Sequence, residues 1–412
     1  MGRFACGDAG TGDLMGRFAV LLWTLFFCAD AQGLHSTGLA GVPQQGLPIK
    51  VEIKVQNESG PSVGQSTERG DPALVRRPPP RAPGSVTAEG KIHLDVLVND
   101  AQGKPVLGLE PWDFKLTDNG KPSRIMSFRK FDGVVSKPDP PVEVLLLIDE
   151  VNLPFQQVAF VRTELTKFLR QNGGKLAQPV SLMRLTDSGL RVQPMPTGDG
   201  IALVTIVNRI KGQIGYINPA MGSDGAMQRF QISERGISTI AENEARKPGR
   251  KLLIWIGPGW PMLDTAQFVE PNEINRRRYF DAIVELTNRL REARITVDSV
   301  AGSDASAGAA AGYALRYQSF VKGVLTPHEA SAANLGLKVL VTQTGGRILG
   351  PGNDLAEQID QCVAEANAFY RISFNPPAAA QTPEFHDLKL LIQKPGLTVR
   401  TNYGYYIQPP GN

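Results

Sequence analysis

Between Val142 and Asn152 the chain reads VEVLLLIDEVN, an apolar run that stops at Asp149, shortly before Pro154 and a helical pattern. A run with no polar face suits a strand covered on both sides, as in a parallel sheet between two helix layers. Ligands of open α/β sheets gather outside the carboxyl ends of the strands, where Asp149 stands. A carboxylate there is costly to bury unless something satisfies or uses it. Asp149 is therefore the first candidate site residue.

The pattern repeats further along. Residues 180–185, 252–256 and 295–300 read as strands. Residues 156–170 place Val158, Val161, Leu165, Phe168 and Leu169 on one helical face, and 275–291 do the same with Phe280, Ile283, Leu286 and Leu290. Thr326-Pro327-His328-Glu329 predicts a capping box opening a helix that Gly345-Gly346 ends. Residues 353–366 form the next helix, with Leu355, Ile359, Cys362, Val363 and Ala366 inward, so Cys362 reads as a core thiol. Residues 212–225 and 302–324 read as irregular loops.

In front of this α/β region, 91–132 alternates in short segments. Ile92, Leu94, Val96 and Val98 share one face, residues 114–117 follow, Asp118-Asn119-Gly120 turns the chain, and 124–131 completes a small all-β module. Such a module is too small to stand without packing on a neighbour. A proline-bearing linker, 133–141, leads into the α/β domain at 142–408, which ends in strands at 370–374, 388–393 and 397–401. The last two read as a hairpin through Lys394-Pro395-Gly396, either extending the sheet edge or forming an appended β layer.

Residues 15–32, MGRFAVLLWTLFFCADAQ, carry Arg17, a short apolar run and an Ala29-Asp30-Ala31 cleavage site, which predicts a signal peptide over 1–31 and an exported, periplasmic or secreted chain. The MGRFA string at Met1 recurs at Met15, which suggests Met15 as the translation start. Lipidation at Cys28 and an uncleaved anchor are the alternatives to cleavage after Ala31; in every case membrane contact is confined to this segment. Residues 32–90, rich in Pro, Gly, Ser and Gln, read as a flexible linker. Removal of the leader takes Cys6 and Cys28 and leaves Cys362 alone, without a disulfide partner in the chain.

The formal charge of +4 and the lack of a basic run interleaved with aromatics argue against a nucleic-acid partner. The enzyme class finds no support either. His93, His328 and His386 are isolated in sequence, no His-Glu-x-x-His, Gly-x-Ser-x-Gly or Walker pattern occurs, and Asp187-Ser188-Gly189 reads as a turn.

The segments HLDVLVNDAQGKPVLGLEPWDFKLTDNGKPSRIMSF, VEVLLLIDEVNLPF, LKVLVTQTGGRIL, AFYRISFNPP and KPGLTVRTNYGYY, in that order, resemble the von Willebrand factor type A (VWA) domains, and more closely the VWFA-related proteins of acidobacterial type. The resemblance spans most of the chain from His93 to Tyr406. It implies a VWA-like, Rossmann-like sheet with helices on both faces and a protein partner, often met through a divalent metal held by Asp-x-Ser-x-Ser, a threonine and a second aspartate. Here Asp149 keeps the first position, but Val151 and Leu153 stand at the hydroxyl positions and Gly257-Pro258-Gly259 at the third loop. A hard cation such as Mg or Ca needs oxygen ligands. Asn152, Thr186, Asp187 and Asp264 are the residues from which neighbouring loops could rebuild a cage; without them the expectation is no cofactor and a degenerate site. The bland reading of Asp149 is a carboxylate bonded to amides at the start of the Pro154 helix, with Asn152 as helix cap. The loop at Gly257 either packs Trp260 as part of a rigid turn or presents it as an exposed anchor. The sequence thus predicts a non-catalytic interaction module, its partner met by Asp149, Asn152, Thr186, Asp187, Gly257 and Trp260; a cation-dependent adhesion or assembly protein is the alternative.

Overall fold

The computed structural model describes residues 91–210, 222–260, 262, 272–300, 317–350, 352, 354–377 and 383–407, all within the unit Arg76–Asn412. The leader, the linker at 32–90, Cys6, Cys28, Met15 and Asp264 lie outside the described residues.

The front strands are β1 (Ile92–Asn99), β2 (Phe114–Asp118), β3 (Lys121–Ser123) and β4 (Ile125–Phe131). The α/β region begins with β5 (Glu143–Asp149), α1 (Phe155–Leu169), β6 (Lys175–Thr186), β7 (Gly189–Val192), β8 (Thr197–Asp199) and α2 (Gly200–Val207). It continues with α3 (Gly222–Glu244), β9 (Lys251–Ile256), α4 (Glu273–Glu292), β10 (Ile295–Val300), α5 (Leu337–Gln343) and α6 (Leu355–Ala364). Last come β11 (Phe369–Phe374), β12 (Glu384–Ile392), β13 (Thr398–Arg400) and β14 (Gly404–Ile407).

The central sheet runs β10-β9-β5-β6-β7, with β8 also on β6. β10, β9, β5 and β6 are parallel, and β7 and β8 are antiparallel to β6. Side chains alternate between its two faces. Leu145, Leu147, Leu253 and Trp255 pack with Phe230 and Ile237 of α3, Phe280 and Ile283 of α4, and Leu340 of α5. Val144, Leu146, Ile148 and Ile254 pack with Val161 and Leu165 of α1, Leu203 of α2, and Ile359 and Cys362 of α6. Burial on both faces is why β5 and β9 lack a polar alternation. The chain leaves β5 for β6 on one side and returns to β9 on the other, so the strand order reverses at β5, the place where ligands of open α/β sheets gather.

The outer β layer differs from the sequence expectation. The module at 91–132 is completed by the chain's other end: one antiparallel sheet runs β13-β1-β11-β4 and the other β14-β12-β2-β3. The C-terminal strands therefore pair with the front strands and not with the edge of the central sheet. β12 and β13 do not form the expected hairpin either, because Lys394-Pro395-Gly396 carries the chain from one sheet to the other, where β13 pairs with β1. Leu94, Val96, Leu116, Tyr370, Ile372, Leu390 and Tyr405 fill the space between the sheets.

Polar side chains join this β layer to the α/β region. Arg294 forks onto Asp95 at 2.8 and 3.0 Å, and Glu365 receives both Arg347 and Arg400. Asn288 of α4 exchanges two hydrogen bonds with the backbone of Tyr406, at 2.7 and 3.0 Å, and so covers the open edge of β14 as a further strand would.

Three helix expectations change. The helix predicted from Thr326 is broken into 3-10 turns at Pro327–Glu329 and Ala332–Leu335 before α5, and Gly336 between them and α5 is extended at φ −64°, ψ 144°. Residues 222–225, expected as loop, form the first turn of α3. The helix α2, capped by Asp199 accepting from the Ile201 and Ala202 amides, had no counterpart in the sequence reading.

Candidate functional site

Asp149 is the last residue of β5 and is fully buried. The chain turns sharply after it, with the Leu153 amide bonded to the Asp149 carbonyl at 3.0 Å. Within this turn the Asn152 amide donates to Oδ1 at 3.1 Å, and Asn152 Nδ2 reaches both carboxylate oxygens at 2.9 Å. From the neighbouring strand β9, Trp255 Nε1 donates to Oδ2 at 2.9 Å. Burial pushes the Asp149 carboxyl up to about 6, against the pull of the bonds from Trp255 and Asn152 that favour the anion.

Asn152 is not a helix cap. Pro154 holds the cap position of α1 with no side-chain cap bond, while Asn152 clamps Asp149 and passes a further bond, 3.1 Å, to Ser233 Oγ on α3. The helix comes this close because Gly236, one turn on, lies against Leu185: a Cβ there would sit 2.7 Å from Leu185 Cδ1. Ser233 and Arg229, a turn before it, were not found from sequence, since α3 itself was not. Their four-residue spacing alongside the apolar Phe230 and Ile237 was the available signal.

The positions that would carry hydroxyl ligands in the resembled motif belong to the core. Val151 packs on one face of the sheet and Leu153 on the other. At the third loop, Gly257 adopts φ +144°, and a Cβ there would lie 2.9 Å from Asp149 Cβ, leaving no room for a ligating side chain. Among the described residues no group of three His, Cys, Asp or Glu side chains could hold a metal ion. With N–H donors on both oxygens of Asp149, these residues do not fit the oxygen cage of a hard divalent cation.

Thr186 lies one residue beyond Leu185, the register partner of Asp149, and its hydroxyl donates to the Gly189 carbonyl at 3.0 Å, closing the β6–β7 turn that also contains half-buried Asp187. Beside it Glu150 holds Arg184 in a two-pronged ion pair. Trp260 corrects the exposed-anchor reading. It is 4% exposed, donates to the Leu335 carbonyl at 3.2 Å and meets Trp255 edge-on at 5.1 Å, so it supports the Asp149 donor from behind.

His386, isolated in sequence, is not isolated in space. Its Nδ1 lies 2.6 Å from Asp118 Oδ1, Tyr405 Oη donates to Asp118 Oδ2 at 2.6 Å, and all three side chains are buried on the inner face of the β layer. Burial, followed by the Asp118 carboxylate, pushes the Tyr405 hydroxyl well above the usual tyrosine range. A buried cluster has no surface at which a substrate would meet it; both oxygens of Asp118 are engaged, while His386 Nε2 lies 3.6 Å from Glu384 without a hydrogen bond among the described residues.

No family model matches the sequence, and comparison with curated proteins gives no match either. Among solved structures, the chain is similar to the pilus adhesin SpaC from Lactobacillus rhamnosus GG in its open conformation, at 11% identity over 74% of this chain and 49% of that one, TM-score 0.32. It is also similar to the human COPII-coat protein Sec24c, at 9% identity over 65% of this chain and 44% of that one, TM-score 0.31. A third is the SpRpn10 VWA domain, at 14% identity over 53% of this chain and 93% of that domain, TM-score 0.25. The chain thus spans about half the length of the SpaC and Sec24c chains, 49% and 44%. The architecture itself is given by strand order: a mainly parallel α/β sheet between helix layers, joined to an antiparallel β module. No helix among the described residues is long and apolar enough to cross a membrane.

Proposed function

We propose that this is an exported, non-catalytic protein-interaction module of the VWA type, meeting its partner through the loops at the carboxyl end of the central sheet without a metal ion. The observation that carries the reading is the state of Asp149. Its oxygens are engaged by Asn152 and Trp255, and Gly257 closes over it where a further ligand would stand. Asn152, Thr186, Asp187 and Gly257 shape the contact surface, and Trp260 stiffens it from within.

The test has two parts, both on the full chain. Melting is followed in EDTA and then with added magnesium, calcium or manganese, for wild type and Asp149→Ala. The expectation is no cation-specific rise, since a ligand that binds only the native state would stabilise it; a rise that disappears in the variant replaces this reading with cation-dependent adhesion. Partner capture is then compared between wild type and Thr186→Ala/Asp187→Ala. Unchanged capture with unchanged melting would overturn the assignment of the surface.

A further inference from the structure

Arg229 sits on α3 one turn before Ser233, the residue through which that helix contacts Asn152. It is half-buried, and the Asp149 charge acts on it across the turn. Its Nη1 is shielded from solvent yet has no hydrogen-bond partner among the described residues. A charged donor kept from water and left unbonded is unfavourable, and native proteins keep few such groups without a reason.

Asp149 does not supply the missing acceptor, because its oxygens are already committed to the N–H groups of Asn152 and Trp255. A second atom of the same site is left over in the complementary sense: Asn152 Oδ1 is buried and accepts no hydrogen bond from the described residues. The carboxyl end of β5 therefore carries one cationic donor and one acceptor that no described residue uses. We infer that Arg229 receives a carboxylate from an acidic segment of the partner protein, with Asn152 Oδ1 accepting an N–H of the same segment. A monoanion suits the position better than a phosphate dianion, because the nearby Asp149 carboxylate repels each added negative charge.

This inference rests on the interaction reading and makes it specific. Its test uses the full chain and three fluorescent peptides, hexaglutamate, hexaglutamine and a phosphoserine peptide, followed by anisotropy. Hexaglutamate should bind, hexaglutamine should not, and Arg229→Gln should weaken binding by about 10-fold or more, as for loss of a charge-assisted hydrogen bond. Arg229→Lys keeps the charge without the planar fork and should lose less, while Arg191→Gln, an exposed change on the β6–β7 hairpin, should lose little. Equal hexaglutamate affinity in wild type and Arg229→Gln, no hexaglutamate binding at all, or tighter Arg229-dependent binding of the phosphoserine peptide would each overturn the assignment. Partner capture that survives Arg229→Gln but fails in Thr186→Ala/Asp187→Ala would sink this inference alone; capture that survives both would sink the interaction reading with it.

Discussion

The two ends of the central sheet each bury a charge and hold it by opposite means. At the carboxyl end, Asp149 is held largely by side chains, the amide of Asn152 and the indole of Trp255. At the amino end, Lys251 opens β9 with 1% exposure, and its ammonium donates to backbone carbonyls: Glu244 at 2.8 Å, Lys247 at 2.5 Å and Ala293 at 3.3 Å. Those carbonyls end α3 and α4, where the helix dipoles favour a cation. A parallel sheet with crossover helices makes this polarity unavoidable, because helices begin above the carboxyl ends of strands and finish below the amino ends. The difference lies in the holders. Carbonyls at two helix ends fix Lys251 as part of the fold, whereas most donors to Asp149 are side chains that another sequence could exchange.

The ranking is open to direct attack. Lys251→Ala should be the most damaging change, at about 3–5 kcal/mol, since it leaves a cavity and unpaired carbonyls at two helix ends; denaturant unfolding measures it. Asp149→Ala should cost less, about 2–3 kcal/mol, for the unpaired Trp255 and Asn152 donors. Were Asp149→Ala the worse of the two, the division between framework charge and exchangeable charge would be wrong.

The pH dependence of stability separates the two charges by sign. Asp149 rises to about 6 on folding, from 3.8. Between those values the folded chain holds a proton that the unfolded chain has released, so stability falls as pH rises through the window. Burial lowers Lys251 from 10.5 to about 8. There the unfolded chain holds the extra proton, and stability rises with pH. The two groups together predict a trough between about pH 6 and 8, with an acid arm on the order of 2–3 kcal/mol from Asp149. Asp149→Asn should flatten the acid arm alone and Lys251→Met the alkaline arm alone; a wild-type profile without either arm would show that these charges do not shift on folding. The smallest effect is expected from Ser233→Ala, about 1 kcal/mol for its bond with Asn152, read as a small drop in melting temperature.

What could be read from sequence follows the same division. Strands β5 and β9 are legible because burial on both faces leaves nearly uninterrupted apolar runs, and α1 and α4 because a helix with one buried face shows its period. Helix α2 was not legible: GIALVTIV is apolar throughout, so no period separates a helix from a strand. Helix α3 was hidden by Gly222, Gly225 and Gly236, which lower helix propensity; Gly236 is explained only by its contact with Leu185, a residue of another element. Asp149 was readable as a site because a strand end is a local feature. Its partners were not, although Trp255 gave a hint, since an indole in a fully buried strand must place its N–H on some acceptor. The failed hairpin at Lys394-Pro395-Gly396 shows the remaining gap, because which sheet a strand joins depends on partners far along the chain.

That distance has a consequence for synthesis. Asp118 meets His386 268 residues later in the sequence, and Asp95 meets Arg371 276 residues later. On a ribosome, β1 must wait without its strand partners, and β2 with β3 alone, until residues 369–407 have emerged, with their apolar faces and open edges available to other chains. Pairings this distant fold slowly. The α/β region can collapse first, around its own parallel sheet, and the outer layer then closes over it, a seal that forms only once the strands from Phe369 to Ile407 have been made.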